Sequence, residues 1–181
     1  MQVIETDIPG VLILEPIVYG DERGFFMESY NQMVWREKTA ITSDFVQDNH
    51  SRSARGVLRG LHYQLVHPQG KLVRVTSGEV FDVAVDVRRS SNSFGKWVGT
   101  RLNEQNKRML WIPPGFAHGF LVLSDYADFL YKTTAFYAPE YERTIIWNDP
   151  NLNIAWPEGV IPELSDKDAV APPFMEAELY E

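Results

Sequence analysis

The chain has 181 residues, 44% of them hydrophobic and 23% charged, which is enough apolar material for one domain with a real core. A formal charge of −8 argues against nucleic-acid binding, which wants a basic face, although a local Arg/Lys cluster could still hold a small anion. The absence of cysteine excludes a disulfide scaffold, a cysteine nucleophile and a thiolate metal site.

The first residues, MQVIETDIPG, carry acidic groups and no apolar stretch, so a secretory signal is not expected. No apolar run approaches the length of a membrane span, and a cytoplasmic protein is the default expectation. Residues 11–14 are a short apolar run closed by Glu15-Pro16, a strand and its end. Residues 19–24 read as a loop by composition, and 25–30 as a strand with a polar minority. Residues 31–39 are the best helix candidate of the first half, with Asn31 as N-cap. Residues 45–51 form another strand.

Residues 57–63 have the apolar content and length of a buried strand, interrupted by Arg59 and His62. Strict alternation would put these two on opposite faces. Gly60 lies between them, and a glycine inside a strand often marks a bulge; one is predicted here. Residues 66–70 turn. Residues 71–76 and 80–87 alternate and read as a β-hairpin across Ser77-Gly78-Glu79. In the second run Phe81, Val83, Val85 and Val87 share one face, and Asp82, Ala84 and Asp86 the other. Residues 97–102 and 109–112 are short strands. Pro113-Pro114-Gly115 is a rigid turn that delivers Ala117-His118-Gly119, and strands 120–123 and 129–136 follow. From residue 148 the chain is rich in Pro, Asn and Asp and reads as irregular or short helical pieces. Many short strands at even spacing predict an all-β sandwich or barrel, one domain over 1–181 with no repeat or linker.

The densest chemistry lies in QDNHSRSARGVLRGLHYQ, Gln47 to Gln64, which holds His50, His62, Arg52, Arg55 and Arg59. An arginine and an imidazole carried toward a core need partners, because unpaired buried polar groups cost several kcal/mol. A lone buried histidine is ordinarily structural. His62 and Arg59 together, with Lys71 soon after, point to a site.

Four blocks occur in order: Asp21-Glu22-Arg23-Gly24-Phe25-Phe26, the Gln47 to Gln64 stretch, Gly70-Lys71-Leu72-Val73-Arg74-Val75, and Trp111-Ile112-Pro113-Pro114-Gly115-Phe116-Ala117-His118-Gly119-Phe120. From about residue 20 to the end, the chain resembles the dTDP-4-dehydrorhamnose 3,5-epimerases. The resemblance implies a cupin jelly-roll barrel with a few short helices. It also implies a homodimer in which an N-terminal strand crosses to the partner, with neither metal nor organic cofactor. The implied reaction inverts C3 and C5 of dTDP-4-dehydro-6-deoxy-D-glucose to give dTDP-4-dehydro-L-rhamnose, a step of dTDP-L-rhamnose synthesis.

That chemistry sets the demands on the residues. A ketone at C4 acidifies the protons at C3 and C5, so a base, an acid and a stabiliser of the enolate oxygen are needed. A neutral imidazole suits the base because its ordinary pKa is near the working pH. The resemblance makes His62 the base, paired with Asp168, and Tyr131 the acid. Lys71 is placed against the developing C4 oxyanion, where a fixed charge in a dry site is worth several kcal/mol, with Arg59 beside it. His118 is implied to line the sugar pocket and Arg23 to meet the diphosphate. Glu28, Gln47 and Asn49 are implied contacts of nucleotide or sugar. Phe26 and Tyr137 would sandwich the thymine, and Glu142 and Lys167 are further contacts. Asp82 is a candidate partner of a site histidine; His50 and His67 are read as structural or exposed.

Without the resemblance, Asp168 would be a solvated charge in an acidic tail, Lys71 an exposed strand start, and Tyr131 a core or rim residue. Three other readings stay open. One is a relative inverting a single centre, or a 3,4-ketoisomerase. Another is a metal-dependent cupin, for which His62 and His118 are the right kind of pair. Metal cupins carry His-x-His plus a Glu, whereas Leu61-His62-Tyr63-Gln64 offers one histidine. The third is a non-catalytic sugar-nucleotide binding module.

Overall fold

The computed structural model describes residues 1–181. Runs of β-branched and aromatic residues, broken by Gly, Pro and Asn turns, form two facing antiparallel sheets. The first sheet has the order β1 (Gln2–Glu5), β2 (Leu12–Glu15), β10 (Met109–Ile112), β7 (Lys71–Ser77), β12 (Tyr126–Thr133), β5 (Gln47–Ala54). The second has the order β13 (Glu142–Thr144), β6 (Leu58–Gln64), β11 (Phe116–Val122), β8 (Glu79–Asp86), β9 (Trp97–Asn103). This is a cupin-like jelly roll, as the resemblance implied.

The space between the sheets is filled by one apolar cluster that includes Val73, Val75, Val80, Leu110, Phe120 and Phe129. A second cluster lies on the outer face of the second sheet. There Val83, Val85 and Val87 pack under Ile145, Leu152, Phe174 and Leu179 of the C-terminal segment. The apolar face of β8 therefore meets this outer layer, and its other face carries Asp82 and Ala84 into the barrel. A third cluster, around Trp35 and Trp111, fixes helix α1 (Gln32–Thr39) against the first sheet. Asn31 caps that helix: its Oδ1 accepts the N–H groups of Met33 and Val34.

Three sequence expectations are corrected. First, strands 71–76 and 80–87 are not a hairpin. β7 pairs with β10 and β12, while β8 pairs with β9 and β11 in the other sheet. Gly78, with φ +78°, carries the chain between the sheets; a Cβ there would fall 2.0 Å from the Tyr126 carbonyl oxygen. Second, the loop expected at 19–24 is mostly strand. β3 (Val18–Asp21) and β4 (Gly24–Met27) pair only with each other, and the Phe25 ring of this hairpin lies 3.9 Å under the Lys107 ammonium. Third, the strand expected at 129–136 runs from Tyr126 to Thr133, and the one expected at 120–123 already starts at Phe116, so His118 lies within it.

The predicted irregularity at Gly60 is present. His118 opposes His62, but two residues along β11 Phe120 opposes Arg59, so β6 carries one extra residue.

Candidate active site

One end of the barrel opens into a cavity of about 420 Å³, within the range of small-ligand sites. The bulge in β6 turns Arg59 and His62 into it together. Inward parity on the other strands supplies Gln47 and Asn49 from β5, Lys71 from β7, His118 from β11 and Tyr131 from β12. Tyr137, Glu142 and Lys167 complete the mouth. His62 thus enters from the second sheet, and Lys71 and Tyr131 from the first.

His62 Nε2 lies 2.6 Å from Asp168 Oδ1. Asp168 is brought there by the C-terminal segment, which bridges Glu163 to Val57 beside β6 and then forms helix α2 (Asp166–Ala169). Ser165 caps that helix by accepting the Asp168 N–H at 3.2 Å. Asp168 is 2% exposed, so it is no solvated tail charge. Burial pulls its carboxyl upward, but the hydrogen bond and charge of His62, with Ser165 and Lys167, hold it below the ordinary carboxylate value.

Lys71 is also buried, not exposed at a strand start. Its Nζ donates to the His62 carbonyl at 3.5 Å and forms no salt bridge. Burial lowers the ammonium to about 8, with Lys167 adding to the fall and Glu142 and Asp82 opposing it. Tyr131 moves the other way: burial, then the nearby Glu142 charge, raise its phenol, against the pull of Arg59. At neutral pH it keeps its proton.

His118 Nε2 lies 3.1 and 3.0 Å from the two oxygens of Asp82. Arg59 Nε donates to Ser53 Oγ at 3.1 Å, which aims the guanidinium. Gln47 Nε2 donates to Asn49 Oδ1 at 2.9 Å, while Gln47 Oε1 accepts the Tyr137 N–H at 3.0 Å. Glu142 Oε2 accepts from Lys167 Nζ at 2.7 Å and from the Tyr137 hydroxyl at 3.2 Å. Among the residues lining the cavity, Arg59, Lys71 and Lys167 outnumber Glu142, so an anion meets cationic groups there even in a chain of charge −8.

Three sequence candidates lie elsewhere. Arg23 and Phe26 sit on the β3–β4 hairpin, where Arg23 pairs with Asp21. Glu28 follows β4 and accepts from Asn31 Nδ2 at 2.8 Å. None of the three lines the cavity within one chain. His50 borders the cavity but turns its Nε2 to Asp128 Oδ1 at 3.4 Å, and His67 lies in a turn with φ +56°. Sequence reasoning missed Phe120 and Phe129, whose rings stack 4.2 Å apart on the cavity wall, as well as Ser51 and Gln69. The two phenylalanines were findable, since each lies two residues along its strand from His118 or Tyr131. No three His, Cys, Asp or Glu side chains converge as a metal-binding set, and no helix is long and apolar enough to cross a membrane.

Barrel and cavity together define a cupin-type enzyme whose titratable groups converge in one cavity. A family model described as dTDP-4-dehydrorhamnose 3,5-epimerase matches residues 5–176, and the chain belongs to this family of isomerases. It is 61% identical over 180 residues to the dTDP-4-dehydrorhamnose 3,5-epimerase of Pseudomonas aeruginosa, covering 99% of both chains. The Salmonella typhimurium enzyme of the same name is 59% identical over 182 residues, covering all of both. A solved 3,5-epimerase from Legionella pneumophila, in complex with dTDP-4-keto-L-rhamnose, superposes with a TM-score of 0.97 at 54% identity. That match covers 99% of this chain and 97% of the other.

Proposed function

We propose that this chain inverts C3 and C5 of dTDP-4-dehydro-6-deoxy-D-glucose, giving dTDP-4-dehydro-L-rhamnose for dTDP-L-rhamnose synthesis. The observation that carries the reading is the pairing of His62 with Asp168 on one wall of a cavity whose opposite sheet holds Tyr131 and Lys71.

With its Nε2–H given to Asp168, His62 keeps Nδ1 as the basic nitrogen. That nitrogen takes the proton from C5 or C3, and the bonding electrons move into a C4 enolate. Asp168 stabilises the imidazolium that forms. The Lys71 ammonium faces the enolate oxygen, with Arg59 beside it. Tyr131 returns a proton to the same carbon from the opposite face, which inverts it. The imidazolium then loses its proton to water and the phenolate regains one, and the second carbon follows. Gln47, Asn49, Tyr137, Glu142 and Lys167 hold sugar and nucleotide, with Tyr137 flat against the thymine.

Arg23, Phe26 and Glu28 join this scheme in a homodimer, where the β3–β4 hairpin of one copy reaches the cavity of the other. Phe25 and Phe26 are 60% and 67% exposed in the single chain, an apolar surface that a partner would cover.

The test is turnover of dTDP-4-keto-6-deoxyglucose in heavy water. Deuterium at both C3 and C5 supports the reading. Label at one carbon makes the chain a single-centre epimerase, and dTDP binding without exchange makes it a binding module.

A further inference from the structure

His62 is not the only imidazole of the cavity with a carboxylate of its own. His118 and Asp82 lie on the neighbouring strands β11 and β8. Their register pairs His118 with Ala84 and Phe120 with Asp82, so the two side chains meet diagonally inside the barrel. Asp82 is fully buried, and its only hydrogen-bond donor is His118 Nε2. A buried carboxylate with a single donor holds that donor's proton in place, so Nε2 is the protonated nitrogen. The ring is held by Phe129, stacked 5.9 Å away at 25°.

The other ring nitrogen is the informative one. Nδ1 bonds to nothing in the protein. It is not sealed either, because Trp35 Nε1 is the one sealed side-chain polar atom without a partner. His118 is 7% exposed and lines the cavity, so Nδ1 opens there. Burial and the charges of Lys71 and His62 disfavour a second proton on the ring; Asp82 favours it and is outweighed.

We propose that Asp82 is a positioning residue that locks His118 as the Nε2–H tautomer, so that Nδ1 accepts a hydrogen bond from a ring hydroxyl of the sugar. This rests on the 4-keto-hexose reading above. A carbonyl or enolate oxygen has no proton to give and is repelled by a lone pair, so the C4 oxygen belongs to Lys71 and Arg59. His118 instead selects for a hydroxyl at C2 or C3, and a site built around such a hydroxyl rejects the analogue lacking it.

The first measurement needs neither substrate nor variant. Nitrogen-15 NMR of the labelled protein at about neutral pH should find one His118 nitrogen protonated and the other bearing a lone pair, with Nε2 the protonated one. Two protonated nitrogens, or a proton on Nδ1, overturn the proposal. The second compares Asp82→Asn with the unmodified enzyme by C5 exchange on the full substrate and on its 2-deoxy and 3-deoxy analogues. The variant should lose about 10- to 100-fold in kcat/KM on the full substrate, with far smaller loss on the analogue missing the recognised hydroxyl. Equal losses on all three substrates, or none on any, overturn the proposal. Exchange by the unmodified enzyme on the full substrate reports on the reaction itself, so failure of the reaction and failure of the tautomer are told apart.

Discussion

His62 and His118 face each other directly across β6 and β11, yet their Nε2 atoms are held by carboxylates from different layers of the protein. Asp82 comes from the neighbouring strand and is sealed in the barrel. Asp168 comes from the C-terminal segment, 106 residues away in sequence, and its imidazole is 24% exposed. The sealed pair suits fixed recognition. The open pair is reachable by water, which the base proposed above would need in order to shed its proton between two carbons.

Substitutions of the open pair test this division. His62→Ala should lower deuterium incorporation at both carbons by about 10²- to 10⁴-fold, the usual worth of a positioned base. Asp168→Asn keeps the shape but presents an amide in place of the carboxylate, and should lower kcat more than it changes KM. Steady-state rates with the keto-sugar decide both. Retention of exchange at either carbon in His62→Ala would remove it as the base for that carbon.

Lys71 sets an expectation for pH. Its ammonium is held at about 8 by burial, so the free enzyme should lose kcat/KM as pH rises through about 8. Stability moves the other way. Below 8 the lysine is charged in both states, and the folded state bears the desolvation cost. Between 8 and the ordinary 10.5 only the unfolded chain keeps the proton, so the folded form gains stability with rising pH across that window. Lys71→Met should be most stabilised relative to the parent below pH 8, and the gap should narrow above it. Denaturant titrations at a series of pH values measure this.

How much of this was legible in the sequence depended on what each feature rests on. Arg59, Gly60 and His62 announced the site because a buried strand does not carry an arginine, a glycine and an imidazole without reason. Asp82 was legible by parity along β8. Asp168 was not, since nothing local distinguishes it from neighbouring acids; only the fold of the C-terminal segment buries it. Alternation in β7 and β8 reported strands correctly but could not say that Gly78 sends them to different sheets. The β3 strand was hidden because all four of its residues are exposed, which leaves no apolar period to read.

The homodimer expectation can be tested by complementation. Arg23→Ala and His62→Ala should each be inactive alone. In mixed dimers one cavity receives an intact hairpin and an intact base, so an equal mixture should recover about a quarter of the parent activity, as random pairing of two chains dictates. No recovery after mixing and refolding would place Arg23 outside the neighbouring cavity.

Gly60 ties fold to chemistry most tightly. A Cβ there would lie 2.5 Å from Gly119 Cα and 2.8 Å from the His118 carbonyl oxygen, both backbone atoms of β11, and the residue has φ +128°. No side chain can swing aside to admit it, and the backbone conformation favours glycine. Gly60→Ala must therefore push β6 and β11 apart or flatten the bulge, at a cost of roughly 1–3 kcal/mol for the strained conformation alone. Flattening would return Arg59 and His62 to opposite faces. The variant should show a lowered Tm and, at temperatures where it remains folded, an exchange rate close to that of His62→Ala. Parent-like exchange in a folded Gly60→Ala protein would mean that the extra residue in β6 is not what brings the arginine and the imidazole into one cavity.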